Sequence, residues 1–473
     1  MLQLTNRISI LKPSKVPGNN NIYDWVNAII AESDLREGDI TKSDIDNIGK
    51  DNLNSVITAG LRFYFVNSVE IDSSFKNLTK TAKVKLPRNL QFDGIPINKL
   101  FNRGDGILIE LGYIWKNDNT TFTSLRPMFV GYIVNIGLST PIELYCEDGM
   151  FALKNIQKSI NTKAYPGGKL TLTQIVSILF NDVEPYVLVD EVKEPILTNL
   201  DNYNPSHKVG DQLYIGSSFR NYVPVLIQKG GNLDIDPFTY SGTNIKSIAE
   251  ILDELKKKLY IFIYFDDFGN LRFELPYTNI SMLGKYQTIY YDEQVIKDNL
   301  NFQLEEDVLV KVIFKSKSSK KGLDDKNREI IGTSGGVINP TSSFKSDDTN
   351  KDIPSKYPYI GDKDGDSIPV NSAEDMTQQQ CNDMGFRVYR SNKYTGFKRG
   401  STITTFGEPV CRVGQSVILD YKDPILREKY KERIGRFAVH AVKRTFDMNG
   451  YRQHIELGLR LDSYDDLIKS GKI

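Results

Sequence analysis

The sequence predicts a β-rich α+β fold, with two small β-barrel domains on either side of an α+β insertion. Three observations lead to this prediction: strand-like runs divided by turns follow residue 61, amphipathic helices follow residue 170, and strand-like runs return after residue 300. A chain of 473 residues has room for roughly two to four domains. We predict an N-terminal extension with a short helix at Tyr23–Glu32 (1–60), a first barrel (61–155), an α+β middle domain (156–298) and a second barrel (299–465) with a polar insertion (333–368).

The first barrel is predicted from five or six short strands. Leu61–Ile71 is a run of β formers, and Lys80–Leu86 alternates polar and apolar residues before a proline. The turn sequence Gly104–Gly106 precedes another apolar run. Met128–Ile136 and Ile142–Cys146 complete the set. Short strands separated by turns in this way are typical of a small barrel or sandwich.

The middle domain is predicted from helical periodicity. Leu170–Phe180 has apolar residues on one helix face, and Thr171 is placed to cap it. Thr243–Leu259 follows the 3.6-residue period most clearly. Two strands, Tyr260–Phe265 and Asn270–Leu275, follow and are joined by a turn that ends in glycine. The predicted order of this domain is therefore helix, helix, hairpin.

The second barrel is predicted from five further strands. Val308–Phe314 is a strong strand, and Lys315–Lys326 reads as a charged hairpin tip. Thr333–Ile368 is poor in large apolar residues, so we expect a long loop or a segment ordered by a partner. The remaining predicted strands are Gly400–Phe406, Ser416–Tyr421, Arg436–Arg444 and Gln453–Leu461.

Charge and cysteine content exclude several classes of protein. The 60 basic residues equal the 60 acidic ones, and a dedicated nucleic-acid binder needs a basic excess to neutralise phosphates. The three cysteines form no CxxC pair, which indicates reduced thiols. Met1–Ile10 lacks the charged start and apolar core of a signal peptide, and Leu259–Phe265 is too short to span a bilayer. We therefore expect no membrane-spanning segment.

No motif for catalysis stands out, so we predict a protein that is not an enzyme and that has no cofactor and no metal site. The acidic run 362–366 (DKDGD) resembles the start of a calcium loop, but Ser367 and Ala373 stand where that loop needs Gly and Glu. The three histidines are scattered, and no phosphate-binding loop, HExxH or GxSxG sequence accompanies them.

Three segments carry a resemblance to a known family. Val69–Asn89 is a strand, a turn and a strand closed by Leu-Pro. Phe101–Asn155 contains NRGDGILIELGY, FVGYIVNI and IELYCEDGMFALKN in that order, and Thr404–Leu461 contains VGQSVILDY and GYRQHIELGLRL. Together they resemble the bacteriophage tail hub proteins of the late control protein D and baseplate hub family. The chain departs from the family in its first sixty residues and in Thr333–Ile368.

The resemblance implies a structural protein of the virion, assembled in the bacterial host cytoplasm. It implies two tail-tube-like β-barrels in each subunit, and subunits that form a ring around an axial channel. A trimer with two barrels per chain makes a pseudo-sixfold ring, and a hexamer is the other expected copy number. The implied partners are further copies of the chain, other phage tail proteins, and DNA that passes transiently through the channel from tail tube to tail tip.

We predict ring contacts through Leu61–Ile71 and Val308–Phe314. Each run is apolar enough to need cover on both faces, and strand edges that meet across copies cover exposed backbone groups. The candidate residues for these contacts are Phe63, Phe65, Val69, Ile71, Val308, Val310, Val312 and Phe314.

We predict that the charged hairpin tip contacts another tail protein, and that the channel wall is neutral or acidic. Each phosphate neutralised by Lys or Arg adds affinity, so a strongly basic wall would retain DNA. The candidate residues for the contact with another tail protein are Lys317, Lys320, Lys321, Asp324 and Asp325.

Two other functions stay open. A tail-associated cell-wall hydrolase would need a carboxylate pair or a zinc site, and a peptidoglycan clearing assay would detect it. A receptor- or glycan-binding tail protein would present aromatic side chains on loops, for which the tyrosine-rich segment Tyr203–Tyr222 is the candidate. Glycan binding by the isolated protein would support that second function.

Overall fold

The structure is a computed structural model dominated by β-strands. No helix in the described part of the chain is long and apolar enough to cross a bilayer. The segments Tyr23–Glu32, Tyr203–Tyr222 and 362–366, singled out above, lie outside the described residues. The structure describes residues 2–11, 60–87, 91–92, 95–96, 100–116, 121–137, 140–160, 169–180, 225–227, 240, 245–274, 286–301, 311–317, 329–335, 367–375 and 400–473.

The first strand unit contains the strands of residues 2–147. Burial alternates along its central strands, as expected for a sheet with one face on a core and one face turned outward. Two further short strands form a separate two-stranded sheet. The strands are β1 (Leu2–Leu11), β2 (Gly60–Phe63), β3 (Ser68–Ser74), β4 (Thr81–Leu86), β5 (Gln91–Phe92), β6 (Ile95–Pro96), β7 (Gly106–Lys116), β8 (Thr121–Gly137) and β9 (Ile142–Glu147).

The N-terminus differs from the predicted extension, because β1 is an internal strand of the sheet. It pairs with β2 on one side and with β7 on the other. Ile8 and Ile10 are fully buried, and Arg7 forms a buried ion pair with Glu110 on β7, with 2.6 Å between Nη2 and Oε1. Asn6, Arg7 and Ser9 interrupt the apolar pattern, so the strand cannot be recognised without its partners.

The middle unit has the predicted helices and hairpin, with one shifted boundary. The second long helix begins at Ile248 and not at Thr243, because Ser247 and Glu250 form a capping box there. Ile245, within the predicted helix segment Thr243–Leu259, precedes the helix and is 72% exposed. The elements are α1 (Met150–Asn155), β10 (Gln157–Lys158), α2 (Leu172–Phe180), β11 (Val225–Ile227), β12 (Lys246–Ser247), α3 (Ile248–Leu259), β13 (Phe262–Phe265) and β14 (Leu271–Glu274).

The second strand unit begins earlier than predicted. Strands β15 and β16 precede residue 299, yet they pair with β21 and β20. The ends of the predicted polar insertion, 333–335 and 367–368, lie in β18 and β19. The elements are β15 (Gln287–Tyr290), β16 (Val295–Asn299), β17 (Lys311–Lys317), β18 (Glu329–Gly335), β19 (Ser367–Asp375), β20 (Thr402–Phe406), β21 (Ser416–Asp420), α4 (Pro424–Lys429), a 3₁₀ turn (Lys431–Arg433), β22 (Gly435–Asp447), β23 (Gly450–Ser463) and α5 (Tyr464–Lys469).

The two strand units share one sheet of 13 strands. Its order is β16-β20-β23-β22-β3-β4-β9-β8-β7-β1-β2, with β21 and β15 as a branch from β22. Gly435–Ala438 of β22 pair with β21, and Ala441–Phe446 of the same strand pair with β3. Among the described strands this pairing does not return on itself. The β-rich prediction is confirmed, whereas closure into two separate barrels is not seen in the described part of the chain.

The described residues form three hydrophobic cores, one centred on each unit. The second strand unit contributes side chains to the core of the first. Val410, Phe446 and Tyr451 pack among the side chains of β1–β4 and β7–β9. Gly407 allows this approach, since a Cβ at that position would lie 1.9 Å from the Tyr451 ring. The junction between the units is therefore packed as part of a core.

Candidate functional site: the seam between the strand units

The pairing of β3 with β22, which we call the seam, joins residues from the two ends of the chain. Its register places Ile71 opposite Arg444 and Asp72 opposite Lys443. Because side chains alternate across a strand, Arg444 points to the inner side of the seam and Lys443 to the outer side. The seam therefore has two charged surfaces, one buried and one facing outward.

The inner surface receives an aspartate from the middle unit, on the turn between β13 and β14. The Asp266 carboxylate accepts hydrogen bonds from the backbone N–H groups of Phe268 and Asn270, both at 2.9 Å. Arg272 Nε donates to the same carboxylate at 2.8 Å. Gly269 has a φ of +84°, in the left-handed region that favours glycine. Asp266 thus organises the turn, and Asp267 is left to project toward the seam.

Asp267 is the counterion of three buried cations, and we call Lys80, Asp267, Arg412 and Arg444 the ionic cluster. Arg444 donates through both terminal nitrogens to the Asp267 carboxylate, at 3.0 and 3.3 Å. Arg412 Nε lies 3.0 Å from Asp267 Oδ2, and the Lys80 ammonium donates to Oδ1. All four side chains are buried. The cluster joins the first, middle and second units at one point.

The electrostatics of the cluster keep the carboxylate ionised. Burial alone would raise the pKa of Asp267, but Arg444, Lys80 and Arg412 hold it at about 2. Burial lowers the pKa of the Lys80 ammonium against the attraction of Asp267. A carboxylate held in this way is a poor proton acceptor at neutral pH. The arrangement is suited to holding three parts of the chain together.

Backbone groups extend the ionic cluster into each strand unit. Lys80 Nζ also donates to the Met128 carbonyl at 2.6 Å, and Arg444 Nη2 donates to the Cys411 carbonyl at 2.6 Å. The Asp148 carboxylate accepts from the Lys80 backbone N–H at 2.6 Å and from Met150 N–H at the start of α1 at 2.9 Å. Burial raises the pKa of Asp148 to about 7, despite these hydrogen bonds.

The other surface of the seam, which we call the outer face, is a continuous stretch of six strands, three from each strand unit. They are β20, β23 and β22 followed by β3, β4 and β9. Cross-strand neighbours run without a break from Thr404 through His454, Lys443 and Asp72 to Thr81. The ten charged residues of this face are Glu70, Asp72, Lys83, Lys85, Glu143, Glu147, Lys443, Asp447, Arg452 and Glu456.

Charge on the outer face is mixed and slightly acidic, with six carboxylates against four basic side chains. Basic and acidic strands alternate across part of it, so the charges meet as cross-strand pairs. Lys83 Nζ lies 3.0 Å from the Glu143 carboxylate, and Lys443 Nζ lies 3.5 Å from that of Glu70. Solvent-exposed pairs of this kind add little to stability. Their effect is to cancel the local field of each lysine.

The residues predicted to form ring contacts are placed differently by the structure. Phe63, Val69 and Ile71 are buried in the core of the first unit, whereas Phe65 is 46% exposed. Strand β3 is paired on both sides within the chain. The edge in the predicted run Leu61–Ile71 is therefore β2, which contains Phe63 and pairs only with β1 among the described strands, and not β3. A contact through Phe65 stays a prediction.

The second predicted contact strand is also paired on both sides. Val312 and Phe314 lie in β17, between β18 and β19, so the expected edge is again used within the chain. Lys317 ends β17, opposite Glu329 of β18. The other candidates lie outside the described residues: Val308, Val310, Lys320, Lys321, Asp324 and Asp325. Their contacts with other tail proteins stay predictions.

The ionic cluster was not predicted from the sequence, although one signal for it exists. Arg444 lies on the same face of β22 as Val442 and Phe446, both of which are buried. A cationic side chain on the apolar face of a strand indicates that a buried counterion lies nearby. Which carboxylate supplies it cannot be read locally, since Asp267 comes from a distant turn.

The described residues offer little for catalysis. No group of three or more metal-ligating side chains occurs among them. A cavity of about 20 Å³ lies beside the ionic cluster, lined in part by Ser73, Tyr264 and Gln415. This volume holds about one water molecule.

Comparisons with known proteins find similarity at the level of structure. No family model matches the chain, and no curated protein matches it. Among solved structures, the 43 kDa tail protein of prophage MuSo2 from Shewanella oneidensis aligns with 84% of this chain and 96% of its own, at 14% identity and a TM-score of 0.46. A tail protein from Neisseria meningitidis MC58 aligns with 86% and 96%, at 9% identity and a TM-score of 0.49. Prophage tail protein gp18 from Listeria monocytogenes EGD-e aligns with 87% and 97%, at 10% identity and a TM-score of 0.44.

Proposed function

We propose that this chain is a structural hub subunit of a bacteriophage tail, several copies of which form a ring around an axial channel between tail tube and tail tip. The observation that carries the proposal is the outer face, which runs unbroken across both strand units. A surface that continues from one unit into the next is what the wall of a channel requires. The sequence motifs described above resemble tail hub proteins, which agrees with this proposal.

Ring formation is supported by the ends of the sheet. Among the described strands, β2 and β16 are the two terminal strands of the path, and each pairs on one side only. Unpaired backbone groups on a strand edge favour pairing with another chain. A head-to-tail contact of one end with the other closes a ring when the rotation between copies matches. We propose three or six copies.

Passage of DNA is supported by the charge of the outer face. Its three lysines, Lys83, Lys85 and Lys443, all lie within 4 Å of carboxylates of the same face, whereas Arg452 donates to the Asn449 carbonyl. Lysines neutralised in this way gain little by binding phosphates. We propose that this face lines the channel and lets DNA pass without retention.

The assembled particle provides the main test. We expect the purified full chain to have the mass of three or six copies, and an averaged electron micrograph to show a ring with the outer face toward its axis. A monomer under all conditions would contradict the ring. A ring that turns the outer face to the outside would contradict the channel wall and leave the ring standing.

Charge reversal tests the channel wall separately. Glu70→Lys, Asp72→Lys and Glu143→Lys together should leave the ring mass unchanged and slow DNA release from intact particles, because unpaired lysines would bind phosphates. Glu428→Lys with Glu432→Lys, on the exposed segment between β21 and β22, is a control with two reversals away from this face. Equal release rates for both variants and the unchanged protein would exclude this role of the outer face.

The segment between β18 and β19 is proposed to contact another tail protein. Deleting residues 337–365 leaves both flanking strands intact. We expect rings of normal mass and impaired tail assembly, measured by counting complete particles. Normal particle numbers would exclude a role for the segment in assembly.

A further inference from the structure

The turn between β22 and β23 contains an asparagine followed directly by a glycine, Asn449 and Gly450. The turn is short, since Asp447 and Gly450 are the last cross-strand neighbours before it. Both residues inside the turn are exposed, and the Met448 side chain is 98% exposed. Water and hydroxide ion therefore reach this dipeptide from solution.

An asparagine followed by glycine can react with water without an enzyme. The Gly450 backbone nitrogen loses its proton and bonds to the side-chain amide carbon of Asn449. The bond from that carbon to Nδ2 breaks, ammonia leaves, and a five-membered succinimide ring remains. Water then opens the ring at either carbonyl, which gives aspartate or isoaspartate. In sum, the amide and one water become a carboxylate and ammonium, with no oxidant or reductant.

The backbone around Gly450 leaves room for this attack. Gly450 has a φ of +121°, in the left-handed region that favours glycine. A Cβ built at this position would have no atom within 4 Å beyond those of its chain neighbours. Glycine itself has no Cβ to crowd the attacking nitrogen. The nitrogen is therefore accessible to the side chain that precedes it.

Arg452 stabilises the deprotonated form of the nitrogen that attacks. Its Nη2 donates to the Asn449 backbone carbonyl at 3.2 Å. This carbonyl and the Gly450 N–H belong to one peptide unit, whose atoms share electrons by resonance. When the N–H loses its proton, negative charge spreads to the carbonyl oxygen, where a guanidinium donor binds it more strongly.

The position of the turn supplies the motion that the reaction needs. The Asp447 carboxylate accepts a hydrogen bond from the Asn449 N–H at 2.7 Å, which holds the closed turn. Ring closure requires this turn to open, so that the side chain can reach the next nitrogen. The turn ends both of its strands, and the ends of strands open at a lower cost in free energy than core segments.

We propose that Asn449 is a site of spontaneous deamidation by water, and that Arg452 promotes the reaction as a positioning residue. The aspartate product adds a negative charge to a turn that already contains Asp447 and Arg452. The isoaspartate product also lengthens the backbone of the turn by one carbon. The reaction needs neither a ring nor a partner protein.

Mass spectrometry of the purified full chain measures the reaction. The chain is kept in mildly alkaline buffer made with heavy-oxygen water, and peptides are followed over time. Asn135 is the internal control, because it is also exposed but precedes the β-branched Ile136. We expect at least ten times more labelled product at residue 449 than at residue 135. No labelled product at residue 449, or equal amounts at the two sites, would overturn the proposal.

A second experiment tests the part played by Arg452. Arg452→Gln should slow the reaction at Asn449 severalfold and move its rate profile to higher pH, because the deprotonated nitrogen loses a positive neighbour. Arg452→Lys keeps the charge and should retain most of the rate. In urea, where the turn is unfolded, the variants and the unchanged chain should react equally. Equal rates and pH profiles in the folded proteins would exclude promotion by Arg452.

Discussion

The two sides of the seam use the same residue types with opposite consequences. Lys443 and Arg444 are neighbours in sequence, yet the Lys443 side chain is 51% exposed and that of Arg444 is 0% exposed. On the inner side, one carboxylate is shared by three cations away from water, so its removal leaves buried charges without a partner. On the outer side, water already solvates each charge, and the pairs adjust the surface potential. Position relative to the sheet, and not residue type, decides which role a charge has.

Removing the central carboxylate should have the largest effect. Asp267→Ala leaves Lys80, Arg412 and Arg444 buried without their counterion, and we expect a loss of about 3–5 kcal/mol in the free energy of unfolding. Urea denaturation followed by circular dichroism measures it. Asp72→Ala, on the outer face, is the matched control and should change the same quantity by less than about 0.5 kcal/mol. A similar loss in both variants would remove the distinction between the two sides.

Substituting neighbouring cations sharpens the comparison. Arg444→Met keeps an unbranched side chain, though a shorter one, and removes the hydrogen bonds to Asp267 and to the Cys411 carbonyl. Lys80 and Arg412 still balance Asp267, so we expect a smaller loss, about 2 kcal/mol. Lys443→Met should change stability by less than about 0.5 kcal/mol. Thermal or urea unfolding of the two variants side by side gives the comparison, and a reversed order would contradict it.

Low pH should reduce the contribution of the ionic cluster to stability more than that of the outer face. The pKa of Asp267 is held at about 2, below the value of about 3.9 for an unfolded chain. A depressed pKa contributes stability that is present above the unfolded value and is lost as pH falls through the folded value. We expect this contribution to disappear between about pH 4 and pH 2. The slope of unfolding free energy against pH should be shallower in Asp267→Asn, and an unchanged slope would show that other groups cause the acid sensitivity.

The smallest effect is expected on the outer face. Lys83→Ala and Glu143→Ala each remove one member of an exposed pair. Neither should shift the urea midpoint in 1 M salt, where surface charges are screened. A clear shift at high salt would mean that the pair is structural, like the ionic cluster, and would weaken the assignment of this face to a channel wall.

Local patterns in the sequence predicted much of the secondary structure. The alternation in Thr81–Leu86, the capping residue Thr171 and the turn that ends in Gly269 all appear in the structure as expected. Each depends on residues within a few positions of one another, such as the hydrogen bond from Gln174 N–H to the Thr171 hydroxyl. Strand β1 was missed because its polar residues make sense only beside β2 and β7.

The sequence by itself determined that this protein is rich in strands, that the segments of α2 and α3 form helices, and that its net charge is zero. Only the tertiary structure decided that β3 pairs with β22, that the two strand units share one sheet, and that Asp267 forms ion pairs with cations from both. The physical reason is the range of the interactions. Helical and strand periodicity act between near neighbours, whereas strand pairing and buried ion pairs depend on which distant segments meet when the chain folds.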